Sequence, residues 1–206
     1  MNARLAYAAL RNLRVPVIET ADAAAALHQS TRAANKTLAR LAQAGLVTQV
    51  RHGTWWIDAG VDPYRLPEYL TAPLPSYVSL HTALYLRGLV EQIPEVHYAA
   101  SLARTQRIAT AVGTFSIHHL APEVFGGYEE TETGVKLATA EKALFDFAYL
   151  SAGRSRLFTA LPEITLPRGF RRGVLTRWVE RIPAQRSRTI TRRKLDEFLA
   201  SPSRSR

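Results

Sequence analysis

The 206-residue sequence predicts an α+β protein: a small N-terminal helical unit closed by a hairpin, followed by a mixed α/β domain with a basic helical end. Three observations carry that expectation. Helical apolar spacing in residues 3–44 gives way to the strand-like stretch LVTQVRHGTWWI. The next passage, AGVDPYRLPEYLTAPLPS, holds four of the eleven prolines, and proline suits neither a helix interior nor a central strand. From Tyr77 onward, segments of alternating and of helical periodicity interleave. The expected organisation is therefore residues 1–58, a proline-rich linker or domain entry at 59–76, a second domain at 77–200, and a disordered Ser/Arg tail at 201–206.

In the first part, residues 3–13 read as a helix and VPVIET as a short strand. Thr20 is expected to cap a second helix, ADAAAALH, with Asp22 favourably placed in its first turn. His28 and Gln29 make a turn, Ser30 caps a third helix, and Gly45 ends it. Ala34, Leu38 and Leu41 recur at i, i+4 and i+7, one stripe facing a core. Thr31, Arg32, Asn35, Lys36 and Arg40 lie off that stripe. Arg suits guanine edges and Asn adenine edges, whereas Lys and Thr suit backbone phosphates. LVTQV and TWWI then flank RHG, a tight turn that puts Arg51 and His52 at a hairpin tip. Trp55 and Trp56 are adjacent, so in a strand their rings face opposite sides. Helix, helix–turn–helix and two-stranded wing follow one another as in a winged helix-turn-helix, whose third helix enters the major groove.

In the second part, YVSLHTALYLRGL has helical spacing and stops at Gly88. EVHYAAS and GTFSIHHL alternate as strands do. A helix follows in TAEKALFDFAYLSAG, capped by Thr139, with Glu141 in its first turn and an apolar stripe of Leu144, Phe145, Ala148 and Tyr149. VLTRWVERI and TRRKLDEFLA complete the chain as basic helices. Glu129, Glu130 and Glu132 read as a solvated acidic loop.

Charge divides along the chain. Residues 1–60 carry seven Lys/Arg against three Asp/Glu, residues 61–150 six against ten, and residues 151–206 fourteen against four. A middle of net −4 is thus flanked by ends of +4 and +10, a pattern suited to a polyanion at both ends. Arg171, Arg172, Arg192 and Arg193 are the candidate phosphate contacts in the basic end.

Other classes receive less support. No cysteine is present, which excludes disulfides and thiolate metal sites and suits a reducing, cytoplasmic setting. No apolar run approaches the roughly eighteen residues of a membrane span, and arginines interrupt the apolar N-terminus where a signal peptide would not allow them. His118 and His119 are neighbours in a strand and so cannot easily share a site. His81 and His97 read as packing or surface residues. No HExxH or glycine-rich phosphate loop accompanies them, so no catalytic residue, metal or cofactor is expected.

Read in succession, YVSLHTALYLRGLVEQIP, GTFSIHHLAPEVFGGYEE and VKLATAEKALFDFAYL resemble the central region of AbiEi-type antitoxins and related transcriptional regulators. With the preceding helix-turn-helix pattern, the resemblance covers most of residues 1–150, while the last fifty match only in being basic and helical. It implies a type IV toxin–antitoxin system in which the antitoxin represses its own operon by binding inverted repeats in double-stranded operator DNA. It also implies a nucleotidyltransferase-like toxin as the functional or direct partner. The alternative expectation is a winged-helix transcriptional regulator whose second domain senses a small molecule or a protein, with no toxin.

Overall fold

A computed structural model describes residues 2–57, 60, 62–152 and 163–200; the expected tail at 201–206 lies outside them. The fold is mixed α+β, and it divides into two compact units, Met1–Pro63 with Ala109–Gly113, and Tyr64–Ile108 with Thr114–Arg206. Within the proline-rich passage, a 3₁₀ turn at Pro63–Arg65 leads into a short helix, α4 (Leu66–Thr71), grouped with the second unit.

In the first unit, helix α1 (Ala3–Arg11) is capped by Asn2, whose side chain accepts from the amide of Arg4 at 3.1 Å. Strand β1 (Val17–Glu19) leads directly into α2 (Thr20–Ala26), and α3 (Thr31–Gln43) follows. Thr20 is not the cap of α2, contrary to expectation. Glu19 takes that position, its amide donating to Asp22 Oδ2 at 3.0 Å. The Thr20 hydroxyl is engaged elsewhere, donating to the carbonyl of Gly53 and accepting from Trp55 Nε1 at 3.0 Å. Ser30 does cap α3, accepting from the amide of Ala33. Ala34, Leu38 and Leu41 are fully buried and join Ala23, Ala24 and Leu27 of the α2 region in one core. Strands β2 (Thr48–Arg51) and β3 (Thr54–Trp56) form the hairpin, and β3 lies between β1 and β2 in an antiparallel sheet. Both tryptophan rings are buried, as befits a central strand covered on both faces.

Apart from the Ala109–Gly113 ends of β6 and β7, which group with the first unit, the second unit holds a six-stranded sheet in the order β6-β7-β5-β4-β9-β8. Its members are β4 (Ser76–Val78), β5 (His97–Ser101), β6 (Gln106–Thr110), β7 (Gly113–His119), β8 (Tyr128–Glu130) and β9 (Lys136–Ala138). β4 runs antiparallel to β5 but parallel to β9, and β5 runs parallel to β7. Glu129 and Glu130 therefore belong to an edge strand rather than a loop; both stay exposed, and Glu129 pairs with Arg87 at 2.9 Å. The YVSLHTALYLRGL segment splits into β4 and a shorter helix, α5 (Leu80–Leu86), which Gly88 ends with a φ of +73°.

Helix α6 (Ala140–Ser151) contacts α5, α7 (Arg172–Glu180) and α8 (Gln185–Ala200). It is consequently covered nearly all round, and every residue from Glu141 to Ala148 is buried. Three of them carry ionisable side chains, Glu141, Lys142 and Asp146. Lys142 and Asp146 are both wholly shielded from solvent and form an i,i+4 ion pair. The carboxylate also accepts from Tyr77 Oη at 3.0 Å and Ser79 Oγ at 2.7 Å, while Lys142 Nζ donates to the carbonyl of Val124. The ammonium lies 4.5 Å from the centre of the Trp178 ring and 4.8 Å from that of Phe145. Burial pulls the lysine below, and pushes the aspartic acid above, their ordinary titration ranges; each partner opposes the shift in the other.

A buried ion pair gains little over an apolar pair, but removing one partner strands the other without hydration. Lys142→Met or Asp146→Asn alone is expected to cost about 3–5 kcal/mol in urea unfolding. The double variant should cost clearly less than the two losses added together.

Candidate nucleic-acid interface

The sequence-derived candidates of the first unit sit on one helix and one turn. Thr31, Arg32, Asn35, Lys36 and Arg40 are all exposed on α3. At 3.6 residues per turn, Arg32 and Lys36 lie opposite the buried stripe, with Thr31 and Asn35 on one flank and Arg40 on the other. Ala39 is exposed between them and keeps the middle of the face low. Between Asp22 and Asp58 the sequence contains no acidic residue, so α3 and the hairpin carry no carboxylate of their own. Ser30 fixes where the helix begins and Gly45, at φ +70°, where it ends.

Arg51 and His52 are exposed at the hairpin turn, and Gly53 supplies the left-handed residue the turn requires, at φ +81°. The Arg51 side chain is not splayed from the tip. Its Nε donates to Thr54 Oγ1 at 3.1 Å, and the Thr54 hydroxyl donates to Glu19 Oε1 at 2.8 Å. This chain holds the guanidinium along the hairpin and ties the turn to the start of α2. Sequence spacing offered no sign of it, because Glu19 and Thr54 are 35 residues apart.

A smaller hydrogen-bond chain lies on the Arg40 flank of α3. Thr37, 3% exposed, donates to Gln29 Oε1 at 3.1 Å and accepts from Arg40 Nη2 at 3.4 Å. Sequence reasoning assigned Gln29 to a turn and gave Thr37 no role.

The four candidates in the basic end belong to the second unit. Arg171 and Arg172 are exposed at the start of α7, and the Arg171 amide donates to the buried Glu141 carboxylate at 2.9 Å. Arg192 and Arg193 are exposed on α8, where Arg193 approaches Glu197 at 3.5 Å. Neighbouring arginines have inward tasks. Arg188 donates twice to the carbonyl of Ile182, and Arg181 lies 4.4 Å from the centre of the Trp178 ring.

The histidines fall among aromatic rings. His118 is buried and His119 exposed, on opposite faces of β7. His118 Nε2 lies 2.8 Å from Ser116 Oγ, and its ring stacks on Tyr98. His81 packs against Tyr98 and edge-on to Phe147; His97 packs between Tyr64 and Phe115. Among the described residues, no group of three or more His, Asp or Glu side chains is arranged to hold a metal, and no helix is long and apolar enough to cross a membrane.

No protein-family model matches the chain, and no curated protein matches it in sequence.

Burial, and then the neighbouring His81, hold the titration of His118 down to about 4 from its ordinary 6.5. The folded state thus keeps His118 neutral where the unfolded chain would protonate it. Its contribution to stability is complete above pH 6.5 and is lost as the pH falls towards 4. Urea midpoints are expected to drop by the equivalent of about 1–3 kcal/mol across that window. His118→Gln should flatten part of the slope, the remainder belonging to His81, which burial also lowers.

Proposed function

We propose that this chain is a DNA-binding transcriptional regulator whose first unit is a winged helix-turn-helix. The observation that carries the reading is the acid-free outer face of α3, with Arg32 and Lys36 at its centre and Thr31, Asn35 and Arg40 on its flanks. The element order α1-β1-α2-α3-β2-β3, with β3 central in a three-stranded antiparallel sheet, supports it. In this reading α3 lies in the major groove of double-stranded DNA. Arg32 and Asn35 address base edges, Lys36, Thr31 and Arg40 address phosphates or edges, and the turn at Arg51 and His52 meets the neighbouring backbone. Arg171, Arg172, Arg192 and Arg193 supply further phosphate contacts.

Within that class, the three segments of residues 77–150 that resemble AbiEi-type antitoxins favour one regulator over others. The protein represses its own operon through inverted repeats and counteracts a nucleotidyltransferase-like toxin. No catalytic role of its own is assigned to the chain. The two activities reside in different units, so they are separable by mutation.

Gel shifts on a duplex from the region upstream of the gene test the first claim. The wild-type protein should bind with a steep salt dependence, a log–log slope of about −0.9 per phosphate neutralised. Arg32→Ala/Lys36→Ala should weaken binding at least about tenfold while leaving the urea midpoint unchanged. Equal affinity in the double variant would refute the groove assignment. Co-expression with an adjacent nucleotidyltransferase-like gene tests the second claim: the same variant should still rescue growth.

A further inference from the structure

The hydrogen bonds around Thr37 determine how two side chains on the flank of α3 are presented. A guanidinium can only donate, so in the contact between Arg40 Nη2 and Thr37 Oγ1 the hydroxyl oxygen is the acceptor. The single hydroxyl proton must then go to the other neighbour, and that neighbour is the Gln29 side chain at 3.1 Å. A group that receives this proton has to be an acceptor, which fixes the oxygen end of the Gln29 carboxamide on Thr37. The amide nitrogen, with two N–H donors, is left on the far side of Gln29, and the Arg40 guanidinium keeps its remaining donors. Thr37 itself is buried and cannot touch a ligand. Arg40 is exposed and Gln29 half-buried.

We propose that Thr37 is a positioning residue that locks Gln29 and Arg40 into one donor-only unit, and that Gln29 belongs to the DNA-reading set. The inference rests on the DNA-binding reading above and specifies its chemistry. A free glutamine reads adenine by accepting from N6 while donating to N7. Here the oxygen is turned onto Thr37, so that paired contact is lost. What remains suits a target made of acceptors alone: the N7 and O6 edge of guanine, or phosphate oxygens.

The test is selection from a pool of randomised duplexes by the full-length protein, followed by titration of the selected duplex and of an unselected one. Thr37→Val and Gln29→Ala should each lower affinity for the selected duplex about tenfold. The double variant should lose clearly less than the two single losses added together, because the hydroxyl acts in part through Gln29 rather than on DNA. Thr37→Ser, which keeps the hydroxyl, should bind as the wild type does. If Gln29 meets a base, the Gln29→Ala selection loses one guanine; if it meets phosphate, affinity falls equally on both duplexes. Either result supports the proposal. Unchanged binding by Gln29→Ala and Thr37→Val, or an adenine whose selection depends on Gln29, would overturn it. Should Arg32→Ala/Lys36→Ala still lose binding in the first of those cases, the DNA reading survives and only the Thr37 unit fails. If the wild-type protein selects no duplex at all, both fall.

Discussion

The ion pair between Lys142 and Asp146 is the contact on which the second unit is assembled. Two opposite charges taken out of water need each other and need every remaining hydrogen-bonding position filled. Tyr77 and Ser79 reach the carboxylate from the β4 strand and the residue after it, and the Val124 carbonyl receives the ammonium. Trp178 of α7 closes over the lysine, and Arg181 stands against the same indole. Sheet, central helix and C-terminal helices thus converge on one buried pair. Gly127 belongs to the same arrangement: a Cβ there would come within 2.6 Å of the Trp178 ring, and its φ of +73° favours glycine in any case. Ser79, Lys142 and Asp146 are residue types found in nucleophilic sites, and here all three are 0% exposed and bonded to one another through the Asp146 carboxylate.

The first unit is organised on the opposite principle. Among the described residues its core buries aliphatic side chains and Trp55, and no charged group. Ala23, Ala24 and Ala34 contribute little bulk, so α2 and α3 can approach closely and are oriented by the turn between them, where His28 adopts φ +52°. The charged residues of α3 all remain outside. A helix whose buried stripe is satisfied by alanine and leucine leaves its other face unconstrained by packing, and that face is basic. The fixed ends of α3 and the Glu19–Thr54–Arg51 chain give the surface a defined geometry.

Local signals in the sequence were readable where they depend on a few neighbouring residues. The stripe of Ala34, Leu38 and Leu41, the caps at Ser30 and Thr139, and the stops at Gly45 and Gly88 are of this kind. The Thr20 expectation failed because its hydroxyl serves contacts to residues 53 and 55, which no local rule includes. The edge strand at Glu129 and Glu130 looks like a loop locally because acidic residues disfavour strands, while its pairing with β9 is a tertiary matter. Lys142 and Asp146 carry the i,i+4 spacing of an ordinary exposed helix pair. Only the packing of α5, α7 and α8 around α6 distinguishes the two situations. On the candidate interface, the exposed cations were legible from helical periodicity. The roles of Gln29 and Thr37 were not, since a hydroxyl proton is assigned only once both of its neighbours are known.

The DNA-binding proposal requires α3 and the hairpin turn to be the surface that meets the duplex. Amide chemical-shift mapping of the full-length protein, titrated with the duplex from upstream of its gene, tests this most directly. The largest perturbations are expected at residues 29–43 and 51–53. Silence at those amides, with shifts confined to the basic helices of the second unit or found nowhere, would contradict it.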